Sequence, residues 1–458
     1  MIDFLIAHGI VARSDLPIPG WLFGWAAALV MLVSFVGLAT LWPEPRLQRE
    51  GWKPFSRGVS RAIFNPVVEF VCGLLGVAMT VVLVYAGFRG VQTAAANITP
   101  TFIYVTFWVG LVPVSAIFGD VFRAFNPWRA TARGVAFLAR LISRGDLPAP
   151  LAYPERFGRW PAAAGLFLFT ALELVSADAS KPQHLAIATL VYSALTFVAM
   201  ALYGIDAWIE RGEAFSVYFN LFSRISPFER RGDELGVRKP LSALAALEPL
   251  PGTVWFVAMM IGTVTFDGAG EGPLWTGIAP DIAKFFRNVG LSPSHALEMA
   301  FLIGLVAGVL LIRGLYELGV LGARGVGGGF SANQLAVQFA HSLVPIAFAY
   351  VMAHYFTFLL FQGQAMGFLA SDPLGHGSNL FGTANQTINY NLIGSNATWY
   401  WQVAFVVTGH VAALTLAHDR ALAIYDDAKL AVRSQYWMLA VMVGFTSLAL
   451  WLLSQSNV

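Results

Sequence analysis

PVVEFVCGLLGVAMTVVLVYAG, residues 66–87, carries a single charged side chain, Glu69, in 22 positions. A bilayer core about 30 Å thick is crossed by about 20 apolar residues of helix. The run is continuous rather than alternating, so it reads as a membrane-spanning helix and not as a barrel strand. Nine further runs of the same kind lie at 21–42, 101–119, 161–177, 184–204, 252–267, 294–316, 331–361, 398–418 and 434–454. The expected fold is all-α: a polytopic transmembrane helix bundle of about ten spanning helices, forming one membrane domain over residues 1–458.

Composition agrees. Of 458 residues, 57% are hydrophobic and 12% charged, whereas a soluble domain carries about 25% charged residues. Such a chain cannot cover itself with a wetted surface, which excludes a soluble enzyme and a disordered protein. A net charge of +2 provides no field toward nucleic acid, so no nucleic-acid partner is expected. Cys72 is the one cysteine, which excludes a disulfide framework and a Cys-type zinc site. Trp21, Trp25, Trp42, Trp399, Trp401, Trp437 and Trp451 fall at the ends of runs, as an interfacial aromatic belt requires. Pro66, Pro161 and Pro251 stand near first turns, where a missing N–H costs nothing. Residues 1–20 lack the basic segment of a signal peptide and are read as part of the mature chain.

Lys and Arg set the expected orientation. The connections 43–65, 119–160, 205–251, 313–333 and 419–433 hold 23 of the 28 basic residues, and the opposite set holds 5. By the positive-inside rule, both termini then face the non-cytoplasmic side. The excess of Arg over Lys has a bacterial look, and the expected location is a bacterial cytoplasmic (inner) membrane, with the lipid bilayer as the first partner.

Two cytoplasmic connections are expected to lie on the membrane as amphipathic helices. Asn126-Pro127 is a cap followed by a first-turn proline. Beyond it Arg129, Arg133, Arg140 and Arg144 share one face, with Trp128, Val135, Leu138 and Ile142 on another. The stretch 206–226, with Trp208, Phe215, Tyr218, Phe219 and Phe222, is the second. The tripeptide Phe64-Asn65-Pro66 recurs as Phe125-Asn126-Pro127, too short a repeat to establish duplication.

Ionisable groups at membrane depth are functional candidates by default. Depth sorting places Glu173, Asp178, Asp267, His295, Glu298 and His354 toward the outer side. Glu69, Asp120, Asp206, Arg313, Glu317 and His418 fall toward the inner side. His295 and Glu298 are three residues apart and share a helix face. With His354 and Glu173 from other helices they form an expected ligand shell for a divalent, zinc-type metal. Its bound water would act as a nucleophile, with Glu298 or Glu173 as base. The plainer alternative is that each His bonds a neighbouring helix and that Glu298 is wet. His410 and His418 lie about 12 Å apart along one helix and cannot share an ion.

The run 331–361 would span roughly 46 Å as helix, so it must tilt, protrude or break, with Pro345 as the obvious breaking point. A break beside Gln338, His341 and, on the next span, His410 would make a transport path; a plain proline kink is the alternative. Arg313 and Glu317 read as a solvated pair, and Gly325–Gly329 as a linker capped by Ser331. The external connection 362–397 has no Lys or Arg, and its 36 residues are long for a linker. It is expected to fold over the outer mouth as a lid.

A resemblance adds to this. His8-Gly9-Ile10-Val11, Asp15-Leu16-Pro17-Ile18-Pro19 and Trp21-Leu22-Phe23-Gly24-Trp25 carry it, with Gly119-Asp120-Val121-Phe122-Arg123-Ala124-Phe125-Asn126-Pro127-Trp128 and the stretch from Tyr153 to Pro161. Together these resemble the bacterial polytopic membrane proteins known as fenitrothion hydrolases, which cleave organophosphate triesters. The resemblance implies hydrolysis of a hydrophobic small-molecule substrate and supplies no site residues. Three functions are therefore expected side by side: a membrane hydrolase, an ion or small-solute transporter or channel, and a non-catalytic subunit of a membrane complex.

Overall fold

The computed structural model describes residues 20–48, 51–143 and 148–455. Residues 1–19, which carry two of the stretches of the resemblance, lie outside the described residues, as do Arg144 and the extreme C-terminus. The long or site-bearing helices are α1 (Gly20–Leu41), α2 (Pro66–Arg89), α3 (Ile98–Phe118), α4 (Pro127–Ser143), α5 (Trp160–Leu174), α6 (Pro182–Tyr203), α7 (Ala214–Ser223) and α8 (Thr253–Gly270). They continue with α9 (Pro273–Asn288), α10 (Pro293–Gly325), α11 (Ala332–Phe339), α12 (Val344–His354), α13 (Phe356–Gln362), α14 (Ser395–Ile424) and α15 (Tyr436–Gln455).

Eight helices among the described residues are long and apolar enough to cross a membrane: those containing α1, α2, α3, α6, α8, α10 and α14, and the stretch Ala332–His354. The runs expected at 161–177 and 434–454 fold as α5 and α15 and are not among the eight. At 15 residues, α5 is roughly 22 Å long, short of a bilayer core.

Burial sorts the spans into centre and rim. The most apolar windows of α8 and of Ala332–His354 are both 78% buried, against 17% for α1 and 11% for the span holding α2. The rim helices keep Leu29, Val33, Val67 and Phe70 exposed, as a lipid-facing surface requires. The central pair carries ionisable residues that lipid would not tolerate, and protein surrounds them instead.

Polar caps set the helix starts. Asn65 Oδ1 accepts from Val67 N at 2.8 Å, and Asn126 Oδ1 from Arg129 N at 2.8 Å, so both Phe-Asn-Pro tripeptides open helices. The two helices meet closely: a Cβ on Gly73 of α2 would collide with Ala130 of α4. As expected, α4 is amphipathic, with Val135, Phe137, Leu138, Leu141 and Ile142 exposed on its apolar face.

Beyond 206–211, where Asp206 and Glu210 are exposed, the stretch 206–226 does not lie on the surface. Instead α7 is driven into the bundle, with Tyr218, Phe219 and Phe222 no more than 1% exposed. Its apolar residues surround the axis rather than lining one face, and such a helix is a core element. Glu213 caps it, accepting from Phe215 N at 3.0 Å and Ser216 N at 2.8 Å, and the Tyr192 hydroxyl also donates to it. Conversely, the connection 268–293 contains an amphipathic helix absent from the sequence reading, α9. It rests Ala279 and Ala283 against Ala296 and Ala300 of α10, leaving Leu274, Ile278 and Phe285 exposed. The one sheet described is a small antiparallel one of three strands, Lys53–Pro54, Glu234–Val237 and Phe228–Arg231, in that spatial order.

The long run 331–361 is broken, but ahead of the expected point. After α11 the chain makes a 3-10 turn, Ala340–Leu343, and then resumes as α12 with Pro345 in its first turn. A proline cannot donate to the carbonyl one turn back, so the irregularity falls on the residues preceding it. A second break at Tyr355 separates α12 from α13.

Ser331 caps α11 as expected, in a capping box with Gln334. Arg313 and Glu317 do pair, yet not as a solvated pair: the Arg313 side chain is 16% exposed and its guanidinium lies 5.5 Å from the Trp255 ring centroid. At the same end Asp419, 0% exposed, accepts from Trp42 Nε1 at 3.1 Å, Arg46 N at 2.5 Å, Leu47 N at 3.0 Å and Gln48 Nε2 at 3.1 Å. One carboxylate thus ties the chain leaving α1 to α14. The connection 362–397 is folded by its own bonds. Asp372 accepts from His376 N, Gly377 N and the Ser378 hydroxyl, and the Leu374 and Pro373 carbonyls accept from Val91 N and Ile98 N.

Candidate functional site

The site forms where the two central spans end. Asp267 lies near the C-terminus of α8 and is 8% exposed. His354 closes α12, and its Nε2 is 2.9 Å from Asp267 Oδ2. The Tyr355 hydroxyl donates to the same oxygen at 2.7 Å. Residues adjacent in a helix point about 100° apart, so His354 and Tyr355 would ordinarily diverge. They converge because α12 stops between them, with Tyr355 at φ −92° and ψ 13°.

Glu173, near the end of α5, is 6% exposed and lies within electrostatic reach of Asp267. Among the described residues none donates a hydrogen bond to it. Tyr104, Tyr218 and Tyr355 all lie within reach of its charge. Tyr104 comes from a ten-residue π-helical stretch of α3, Thr101–Gly110, a rare geometry that gathers at functional sites. Its hydroxyl donates to Ala179 O at 2.8 Å, and Trp108 from the same stretch stacks on Tyr218 with centroids 4.3 Å apart. Two carboxyl groups, an imidazole and three phenols therefore share one enclosed region, and such a set can hold, pass or release a proton.

Of the expected metal shell, the structure brings Glu173 and His354 into this region and leaves the other two outside. His295 is exposed in the first turn of α10, with Nδ1 2.8 Å from the Ser292 hydroxyl. Glu298 accepts from Ala177 N at 2.9 Å. Sharing a face, as they do, fixes their spacing but not where that face points. No group of three His, Cys, Asp or Glu side chains able to hold a metal occurs among the described residues. Asp178 bonds Lys181 at 2.6 Å in an exposed turn, and that ammonium holds its carboxyl below the ordinary range.

Of the residues expected along a transport path, Gln338 and His341 lie ahead of the other end of α12, and His410 faces Tyr350 partway along it. His341 is buried in the 3-10 turn, His410 is fully buried on α14, and Gln338 is half-buried on α11. Depth sorting grouped Asp267 with Glu173 and His354 without giving it a role. Tyr355, Tyr104 and Tyr218 carried no signal of their own, since phenols in apolar runs look like packing.

No family model, curated protein or solved structure matches the chain.

Proposed function

We propose that the protein is a proton-coupled transporter of a small solute, with Glu173 and the Asp267–His354–Tyr355 cluster as its proton-binding centre. The observation that carries this is Glu173 itself: the residue is 6% exposed, no group among the described residues donates a hydrogen bond to its carboxyl, and Asp267 lies within electrostatic reach. Intramembrane carboxyl groups in such company mark proton relays and ion paths. In one state Glu173 carries the proton; in the other it gives it up to Asp267 or His354, and the change in charge favours a different packing of α5 against α8. The reading goes with a multi-pass place in a bacterial inner membrane and both termini on the non-cytoplasmic side, as the distribution of basic residues favours. Tags at either end should then react with an impermeant label in intact cells.

The test is uptake into proteoliposomes driven by an imposed pH gradient, across a solute panel. Glu173→Gln should abolish gradient-driven accumulation while leaving the melting temperature within a few degrees of the parent. Unchanged accumulation in that variant would remove the reading.

A hydrolytic reading draws on one feature of the same cluster, the pairing of His354 Nε2 with Asp267. A carboxylate that fixes an imidazole is how a general base is oriented. Here His354 would activate water against a hydrophobic phosphotriester. No step is assigned to a metal, since His295 and Glu298 point elsewhere. Release of the phenol, unaffected by chelator and lost in His354→Ala, would favour this reading over transport.

A further inference from the structure

We infer that a file of buried water threads the seam between α12 and α14, joining His341 at one end to the Asp267–His354 pair at the other. Four polar atoms on this seam have no partner among the described protein groups: His341 Nε2, His410 Nε2, the Tyr350 hydroxyl and Gln402 Oε1. Their residues are 2%, 0%, 7% and 5% exposed. Buried polar atoms are almost always hydrogen-bonded, to protein or to ordered water. Four such atoms along one helix pair call for a common solution, and water is the molecule that fits between them.

Local bonds leave two of these atoms facing the seam. Gln402 Nε2 donates to Ala353 O at 2.9 Å, so its Oε1 is the end left over. His410 Nδ1 is satisfied by Val406 O at 2.7 Å, which leaves Nε2 for the seam. Tyr350 faces His410 with ring centroids 6.4 Å apart, and it stands one helical turn before His354. From Gln402 to His410 is about 12 Å along α14, a gap that a few waters at roughly 2.8 Å spacing bridge. The helices touch beside His410, where a Cβ on Gly409 would collide with Ala349 and the Pro345 carbonyl, so the file passes to one side of this contact. The file is therefore narrow. A neighbouring cavity of about 80 Å³, walled by Ile312, Leu315, Met438, Leu439 and Phe445, is apolar and by the same rule stays dry.

Such a file deepens the proton-coupled reading, which supplies its use: it would carry protons between the cluster and the His341 end. Its existence can be tested apart from that use. Hydroxyl-radical footprinting of the full-length protein in nanodiscs labels buried side chains only where water touches them. Tyr350 and His410 should be modified at least about tenfold faster than Phe219 and Phe339, which are equally buried among apolar groups. Labelling no faster than Phe219 overturns the file, whatever the protein transports. Fast labelling at Tyr350 together with normal uptake in Glu173→Gln upholds the file and removes the proton-coupled reading instead. Where both stand, Tyr350→Phe and Gln402→Leu should each slow proton flux while the label at Phe219 stays unchanged.

Discussion

Glu69 and Arg129 meet at 2.7 Å, each in the first turn of a helix opened by Phe-Asn-Pro. Arg129 is 7% exposed in its side chain, and Glu69, at 29%, also serves Arg133 at 3.1 Å. Removing one member of a fully buried pair costs about 3–5 kcal/mol. Because Glu69 is partly wet, we expect Glu69→Gln to cost less, about 1–2 kcal/mol, read as a lower melting temperature in detergent. A melting temperature equal to the parent's would mean that the pair holds nothing.

Asp419 presents a harder case for the protein to lose. It is fully buried and accepts four hydrogen bonds from residues 42–48. Hydrogen bonds to a charged acceptor contribute about 1.5–3 kcal/mol each, and those from a shared acceptor do not add. Asp419→Ala should therefore destabilise by about 3 kcal/mol or more and free the segment after α1. Limited proteolysis near residue 48 would show the release, and resistance equal to the parent's would contradict the tie.

Asp372 gives the connection 362–397 a dependence on acid. Burial works against its charge, but bonds from Gly377 N, Ser378 and His376 N outweigh it and hold the carboxyl below its ordinary value of 3.8. A carboxyl lowered in the folded state stabilises fully above its unfolded value and loses that contribution as pH falls through the folded one. The turn 372–378 should thus be intact at neutral pH and open only below about pH 4. Amide exchange at Gly377, corrected for intrinsic rate, should rise there in the parent and be fast at every pH in Asp372→Asn.

The apolar face of α4 leaves Leu141 67% and Ile142 81% exposed, and we predict that it enters the headgroup layer. A tryptophan placed by Leu141→Trp should emit at shorter wavelength than an aqueous indole and be quenched by lipids brominated high on the acyl chain. Emission at the aqueous wavelength, with no quenching, would place the helix in water.

The apolar runs could be read from the sequence because lipid imposes a length and a composition on whatever crosses it. The amphipathic character of α4 was equally open, its arginines and aliphatic side chains falling on separate faces. The placement of α7 was open to a closer reading: its apolar residues ring the axis, which marks a core helix, and the aromatic side chains alone do not show whether the opposite face is polar. The case of α9 was the reverse: Asp281, Lys284 and Arg287 interrupt the apolar count, and only the spacing of Leu274, Ile278 and Phe285 marked it. At the site, depth picked out Glu173, Asp267 and His354 but also His295 and Glu298. Depth is one coordinate of three. The convergence of His354 and Tyr355 needed the break between α12 and α13, and the phenols around Glu173 needed the widened turns of α3.

Those widened turns have a consequence for movement. In Thr101–Gly110 each winding holds more residues than an ordinary helix would give it. Rewinding the stretch to the usual pitch would swivel Tyr104 and Trp108 about the axis and lengthen the rod that carries them. The ring contact between Trp108 and Tyr218 would then come apart, and the wall beside Glu173 would be redrawn with no helix having to unfold.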